Sequence, residues 1–97
     1  MPSRTSAPEP STPVEELWNL SDKTGGWLRR IGISTYGQLE QADLFDVWVQ
    51  LKLEHGQVSK LMYYAMWGAV HNAHWNTTPQ TVKDEFDKNL QDITKTK

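Results

Sequence analysis

The segment 19–39 constrains the fold more than any other part of the chain. A run of helix-forming residues ends at Gly32, a residue that accepts the positive φ of a helix C-terminal cap. Thr35 stands where the N-cap of a second helix is expected, and Gln38, three residues later, completes the pattern of a capping box. The segment therefore predicts two short helices joined by a tight turn, with Ile33 packing back over the end of the first.

Composition limits the kind of protein this chain can be. Its 97 residues are enough for one domain with a modest core. It contains no cysteine, so neither a disulfide framework nor a thiolate metal site can form. No apolar run approaches the roughly 20 residues of a membrane span, and no hydrophobic N-terminal stretch resembles a signal peptide. A cytoplasmic protein without a membrane-spanning part is therefore expected.

The charge balance argues against indiscriminate DNA binding. The whole chain carries a net charge of −2. The segment 14–92 has seven basic and eleven acidic residues, a balance of −4. Because non-specific affinity for DNA comes largely from neutralising phosphates, such a segment would need a local basic patch to bind nucleic acid.

The sequence divides into an arm, a domain and a tail. Residues 1–13 carry four prolines among serine, threonine and alanine, a mixture that buries too little apolar surface to order itself. We expect a disordered arm there, a helical domain over 14–93 and a frayed polar tail over 94–97.

Helical signals fill the predicted domain, and no segment shows the alternation of a strand. Ser59 and Thr78 stand where helix N-caps are expected. The Gly25-Gly26 pair inside one helix predicts either a close neighbouring backbone or a loose first turn. The fold class is thus all-α, a compact bundle of about five short helices. The predicted helical segments are 14–18, 22–31, 36–41, 43–55, 60–73 and one that begins at Pro79.

The turn before the helix at 22–31 is a candidate phosphate contact. In helix-hairpin-helix modules such a turn exposes backbone N–H groups at a helix start, where the dipole favours an anion. Lys23 and two following arginines would add positive charge, whereas Asp22 is itself an anion at the phosphate position. The alternative is that Ser21 or Asp22 simply caps the helix. The candidate contact residues are Leu20, Ser21, Lys23, Arg29 and Arg30.

An aromatic group on the helix at 60–73 is a candidate interface. Such a set can form a stacking platform for single-stranded bases, although aromatic stripes at helical spacing more often belong to a core. If the stripe of Met62, Ala65, Met66 and Ala69 faces inward, the aromatic residues cannot all be buried in so small a domain. Tyrosine and tryptophan are enriched at protein interfaces. The candidate interface residues are Tyr63, Tyr64 and Trp67.

Metal and catalytic chemistry find little support. His71 and His74 have a helical spacing that can chelate zinc, but no cysteine and no nearby carboxylate completes the set. The chain has neither a glycine-rich phosphate loop nor a serine in a nucleophile-elbow pattern. We therefore expect no catalytic residue, cofactor, metal or small-molecule ligand, and a protein that is not an enzyme.

Four short motifs follow one another in a fixed order. They are Leu17-Trp18-Asn19-Leu20 with Lys23 and Trp27-Leu28, then Ile31-Gly32-Ile33-Ser34-Thr35 with Leu39, then Leu51-Lys52 and the helix 61–69, and last His74-Trp75-Asn76 before Pro79. With these motifs the chain, over about residues 14–90, resembles the C-terminal domain of the TfoX/Sxy family of competence regulators.

The resemblance implies both a fold and a function. The implied fold is an all-α, helix-hairpin-helix-like domain similar to the C-terminal domain of the RNA polymerase α subunit. The family is associated with activating bacterial competence and DNA-uptake genes, together with a cyclic-AMP receptor protein. At the hairpin this chain has Ser21 and Asp22 where the family has glycine and often proline. It also has only the arm where family proteins usually carry an N-terminal domain.

Two functional hypotheses follow. In the first, the chain is a stand-alone, non-enzymatic module that acts in transcription or competence-type regulation through protein contacts, with transcription machinery or a second copy as partner. In the second, the hairpin binds the DNA backbone directly.

Overall fold

The computed structural model describes residues 8–95, with side chains up to residue 93, and over this range the regular structure is helical. No strand lies in the described range, so the predicted all-α fold is confirmed. The elements are a 3₁₀ turn at Val14–Glu16, α1 (Asp22–Arg30), α2 (Tyr36–Gln41), α3 (Leu44–His55), α4 (Lys60–Val70), a 3₁₀ turn at Trp75–Thr77 and α5 (Gln80–Lys95).

The turn between α1 and α2 forms as the sequence predicts. Gly32 has φ of +92°. The N–H of Ile33 donates to the Leu28 carbonyl at 2.9 Å, which brings Ile33 back onto the helix end, where it is buried. Thr35 caps α2 in a reciprocal capping box with Gln38, whose side-chain oxygen accepts from the Thr35 N–H. These local bonds set the path of the chain from α1 to α2.

Most helix boundaries lie within one or two residues of the prediction, and the largest difference is at the end of α4. The helix predicted over 60–73 ends at Val70, because Asn72 takes a φ of +55° and the Ala73 N–H turns back to the Gly68 carbonyl at 2.8 Å. Ser59 lies at the N-cap of α4 as predicted, but its side chain makes no capping hydrogen bond. The hydroxyl of Thr78 donates to the Trp75 carbonyl at 2.6 Å, in the 3₁₀ turn before α5.

The folded domain extends further than predicted at both ends. Residues 10–13 pack on α2, because the Pro10 and Thr12 carbonyls accept from the N–H groups of Gly37 and Tyr36 at 3.0 and 2.8 Å. The disordered arm was predicted through residue 13, so its last part belongs to the folded domain. Residues 1–7 of that arm lie outside the described residues. The predicted tail at 94–97 is shorter as well, because α5 continues through Lys95, and residues 96–97 lie outside the described range.

Phe86 of α5 lies at the centre of an aromatic core. Its ring is fully buried, with centroids 4.5 Å from Tyr63, 5.0 Å from Trp48 and 5.6 Å from Phe45. Burying a side chain of this size stabilises a fold by up to about 3 kcal/mol. The predicted inward stripe of α4 is confirmed, and it packs with buried leucines from the N-terminal half of the chain. The core therefore ties α5 to α3 and α4.

Candidate functional site

The hairpin before α1 is built by a helix cap. Leu20 is fully buried, so its side chain belongs to the core. The hydroxyl of Ser21 accepts from the Thr24 N–H, and the Thr24 hydroxyl accepts from the Ser21 N–H at 2.9 Å. The capping interpretation of Ser21 is therefore confirmed. Since the Ser21 N–H is bonded within the chain, it is not directed at a ligand.

Arg29, a predicted DNA contact, is held by Glu15. Its Nε and Nη2 donate to the two carboxylate oxygens, the second at 2.8 Å. This hydrogen bonding lowers the pKa of the Glu15 carboxyl below its ordinary value. The Glu15 stem reaches Arg29 by crossing Gly25, where an added Cβ would lie 2.5 Å from Glu15 Cγ. The close neighbour of the Gly25-Gly26 pair is therefore the Glu15 side chain and not a backbone. The first turn of α1 is regular.

The other two basic residues also have partners. Lys23 Nζ lies 5.6 Å from the ring centroid of Trp27, a cation–π distance. Arg30 Nη2 lies 3.7 Å from the Glu54 carboxylate. Arg29 and Arg30 thus each face a carboxylate, which weakens the local positive field available to a phosphate, whereas the ring beside Lys23 leaves its charge in place.

Asn19 is a site residue whose role the sequence did not reveal. It has a φ of +68°. Its Nδ2 donates to the carbonyls of Ala65 at 3.3 Å and Ala73 at 3.0 Å, and its Oδ1 accepts from the Trp75 N–H at 3.0 Å. One amide therefore joins the N-terminal hairpin to α4 and to the segment after it. The signal in the sequence is an asparagine before a helix cap, which is common in turns.

The predicted aromatic interface is split between surface and core. Tyr64 is 8% exposed, so it has little surface to offer a partner. Tyr63 and Trp67 are half-buried and, with Val82 and Glu85, line a cavity of about 160 Å³. Burial raises the pKa of Tyr63. The interface role of Tyr63 and Trp67 stays a prediction.

A larger apolar groove, which we call the α3–α5 groove, lies between the C-terminal halves of α3 and α5. Its volume is about 590 Å³. Leu53, which is 82% exposed, and Ile93, which is 39% exposed, form its walls. The sequence gives no sign of this groove, because Leu53 lies between charged neighbours, off the repeating apolar face of α3.

A second groove lies between α1 and the N-terminal half of α4, with a volume of about 310 Å³. Its lining includes Trp27, Trp75 and Leu61, which is 53% exposed. Val58 and Ser59 line both grooves, so the two surfaces meet at the α3–α4 loop. Most of the exposed large apolar side chains of the described chain therefore border one of these two grooves.

The histidines do not come together as a ligand set. His71 packs against the Trp67 ring at a centroid distance of 4.2 Å, and His74 Nδ1 accepts from the Asn76 N–H at 3.2 Å. Within residues 8–95 there is no group of three histidine, aspartate or glutamate side chains that could hold a metal ion. In the same range no helix combines the length and apolar character needed to cross a membrane.

Comparison with known proteins gives a family and a fold. The sequence model described as TfoX C-terminal domain matches residues 11–90. A crystal structure of an uncharacterized protein from Listeria monocytogenes superposes with a TM-score of 0.77 at 23% identity, covering 86% of this chain and 94% of that one. At this identity the likeness concerns the fold alone. A comparison with curated proteins finds no match.

Proposed function

This chain belongs to the TfoX C-terminal domain family, and from that membership we propose that it is a non-enzymatic module of transcription or competence-type regulation that acts through protein contacts. A cytoplasmic location and a partner in the transcription machinery, or a second copy, are part of this proposal. The alternative is direct binding of the DNA backbone through the hairpin.

One observation carries the preference for protein contacts. Arg29, one of the predicted DNA contacts, donates two hydrogen bonds to Glu15. A phosphate that approaches Arg29 gains less from its charge, because the guanidinium is already paired with this carboxylate through two hydrogen bonds. By contrast, apolar side chains such as Leu53 and Leu61 are exposed beside grooves. Such surfaces are typical of protein docking sites.

A DNA titration separates the proposal from its alternative. We expect no binding of a fluorescent duplex by anisotropy at about 50 mM salt, where phosphate contacts are strong. If the hairpin engages three phosphates, the plot of log K against log salt will instead have a slope of about −2.7, from about 0.9 per phosphate.

A Glu15→Gln variant makes the titration sharper. It removes the negative charge that pairs with Arg29, so a latent hairpin site would bind DNA more tightly in the variant than in the parent chain. Salt-dependent binding by the parent chain, strengthened in this variant, would refute the proposal of protein contacts alone.

Alanine at Trp67 is expected to weaken association with a partner at least about tenfold, because aromatic anchors dominate interface energies. Sedimentation velocity of the pure protein measures self-association, and capture from extract of the source cells measures association with another protein. Trp75→Ala is the comparison variant, since Trp75 is an exposed aromatic in the groove between α1 and α4 and shows whether an effect is specific to the Trp67 surface. An equal effect of Trp67→Ala and Trp75→Ala, or no effect of Trp67→Ala, would rule out this interface.

A further inference from the structure

The α3–α5 groove combines an apolar interior with a basic rim. Its floor is formed by the nearly buried side chains of Trp48 and Val58, and its walls include the exposed Leu53 and Ile93. Of the described residues that line it, two are lysines and none is acidic. We propose that this groove binds an amphipathic helix of another protein, one that presents aliphatic side chains to the groove and acidic side chains to its rim.

The rim supplies the charge complementarity. Lys52 Nζ donates to the carbonyls of Gly56 at 2.8 Å and Val58 at 3.0 Å. These acceptors are neutral, so they position the ammonium group without cancelling its charge. Lys60 lies 2.9 Å from Asp87, and because the charges of this exposed pair offset each other, Lys52 supplies the positive charge of the rim that no carboxylate of the described residues pairs. A helix with acidic flanks is thus favoured at this rim, and a basic one is disfavoured.

The shape of the groove favours a helix over an extended peptide. Val49 and Leu53 are four residues apart on α3, and Leu90 and Ile93 are three apart on α5, so each helix offers one ridge. A third helix packs into the space between two such ridges. The described residues contain no strand, so no sheet edge is present to extend with a peptide. Recognition therefore depends on side chains, as in helix-in-groove complexes.

A second copy is a poorer occupant. Among the described helices α5 carries the most acidic residues, but its apolar side is already packed, since Phe86 is fully buried and Leu90 contacts the core. A second copy therefore has no available helix of the required kind within the described part of the chain. This inference rests on the proposed function, since it names the chemistry of a protein partner for a module that acts through protein contacts.

The test uses the full chain and two synthetic helical probes. Each is a fluorescent peptide of about 16 residues with leucines at i, i+3, i+4 and i+7. The flanking positions are glutamate in one probe and lysine in the other. By anisotropy at low salt, we expect the glutamate probe to bind at least about tenfold more tightly than the lysine probe, because only its flanks complement the rim.

Two leucine variants localise the binding. Leu53→Ala is expected to weaken binding of the glutamate probe about tenfold, because a groove wall is lost. Leu61→Ala is the matched control, since Leu61 is also an exposed leucine but lines the other groove, and it should leave binding unchanged. Because Leu53 is 82% exposed, the variant should fold, which thermal unfolding followed by circular dichroism verifies.

Several results would overturn the inference. They are failure of both probes to bind, equal binding of both, and equal loss in the two leucine variants. A concentration-dependent dimer that Leu53→Ala dissociates would also overturn it, since the occupant would then be a second copy. The DNA titration tests the proposed function separately. Without DNA binding, failure of the probes removes this groove as the docking site and leaves a protein-contact module that uses another surface.

Discussion

Replacing Gly68 by alanine is expected to destabilise the fold by about 2 kcal/mol and to lower Tm by roughly 10 °C. An added Cβ at this position would lie 2.4 Å from Asn19 Nδ2 and 2.5 Å from the Ala73 carbonyl oxygen. The carbonyl is main chain, in the turn whose Ala73 N–H is bonded to Gly68, so it cannot move without breaking the end of α4. Alanine gains about 1 kcal/mol in helix propensity, which the overpacking exceeds.

Gly26→Ala is the matched control, because Gly26 lies inside α1 and an added Cβ would meet nothing within 4 Å. Thermal and urea unfolding should show this variant to be unchanged or more stable by about 0.5–1 kcal/mol. If Gly68→Ala behaved in the same way, the close approach of the Asn19 amide and the Ala73 carbonyl to α4 would be refuted.

The parts of the fold that depend on near neighbours were predictable from the sequence. The turn at Gly32 and the capping box of Thr35 with Gln38 each involve groups within five residues of one another. Their chemistry is therefore visible in a short segment. The helix predicted over 43–55 begins one residue later, at Leu44, because Asp43 is its N-cap and accepts from the N–H groups of Phe45 and Asp46.

The candidate site was less predictable because its groups come from distant segments. Glu15 reaches Arg29 across 14 residues. The sequence alone therefore shows a basic helix, and only the structure shows that the charge of Arg29 is paired. Leu53 has charged neighbours in the sequence, and only the position of α5 beside α3 makes it a groove wall. The end of α4 was placed three residues too late for the same reason. Part of what holds that end comes from Asn19, whose amide bonds to Ala73 across 54 residues.

Replacing Asn19 by alanine is expected to cost about 4 kcal/mol in unfolding free energy. The substitution removes three hydrogen bonds, each with a net value of about 1 kcal/mol, and leaves the carbonyls of Ala65 and Ala73 without this donor. It also places alanine at a φ of +68°, which asparagine tolerates better. Urea unfolding measures the loss, and an unchanged m-value shows that the native state keeps its compactness.

Two further variants at this position separate hydrogen bonding from backbone conformation. Asn19→Gly removes the same bonds but accepts a positive φ, so it should be more stable than Asn19→Ala by about 1 kcal/mol. Asn19→Asp keeps the shape but turns a carboxylate oxygen toward the two carbonyls, so at neutral pH it should be at least as unstable as Asn19→Ala. If Asn19→Asp were as stable as the parent chain, the amide would not be donating to α4. The asparagine in the Leu-Trp-Asn-Leu motif would then need an explanation other than this link between the hairpin and α4.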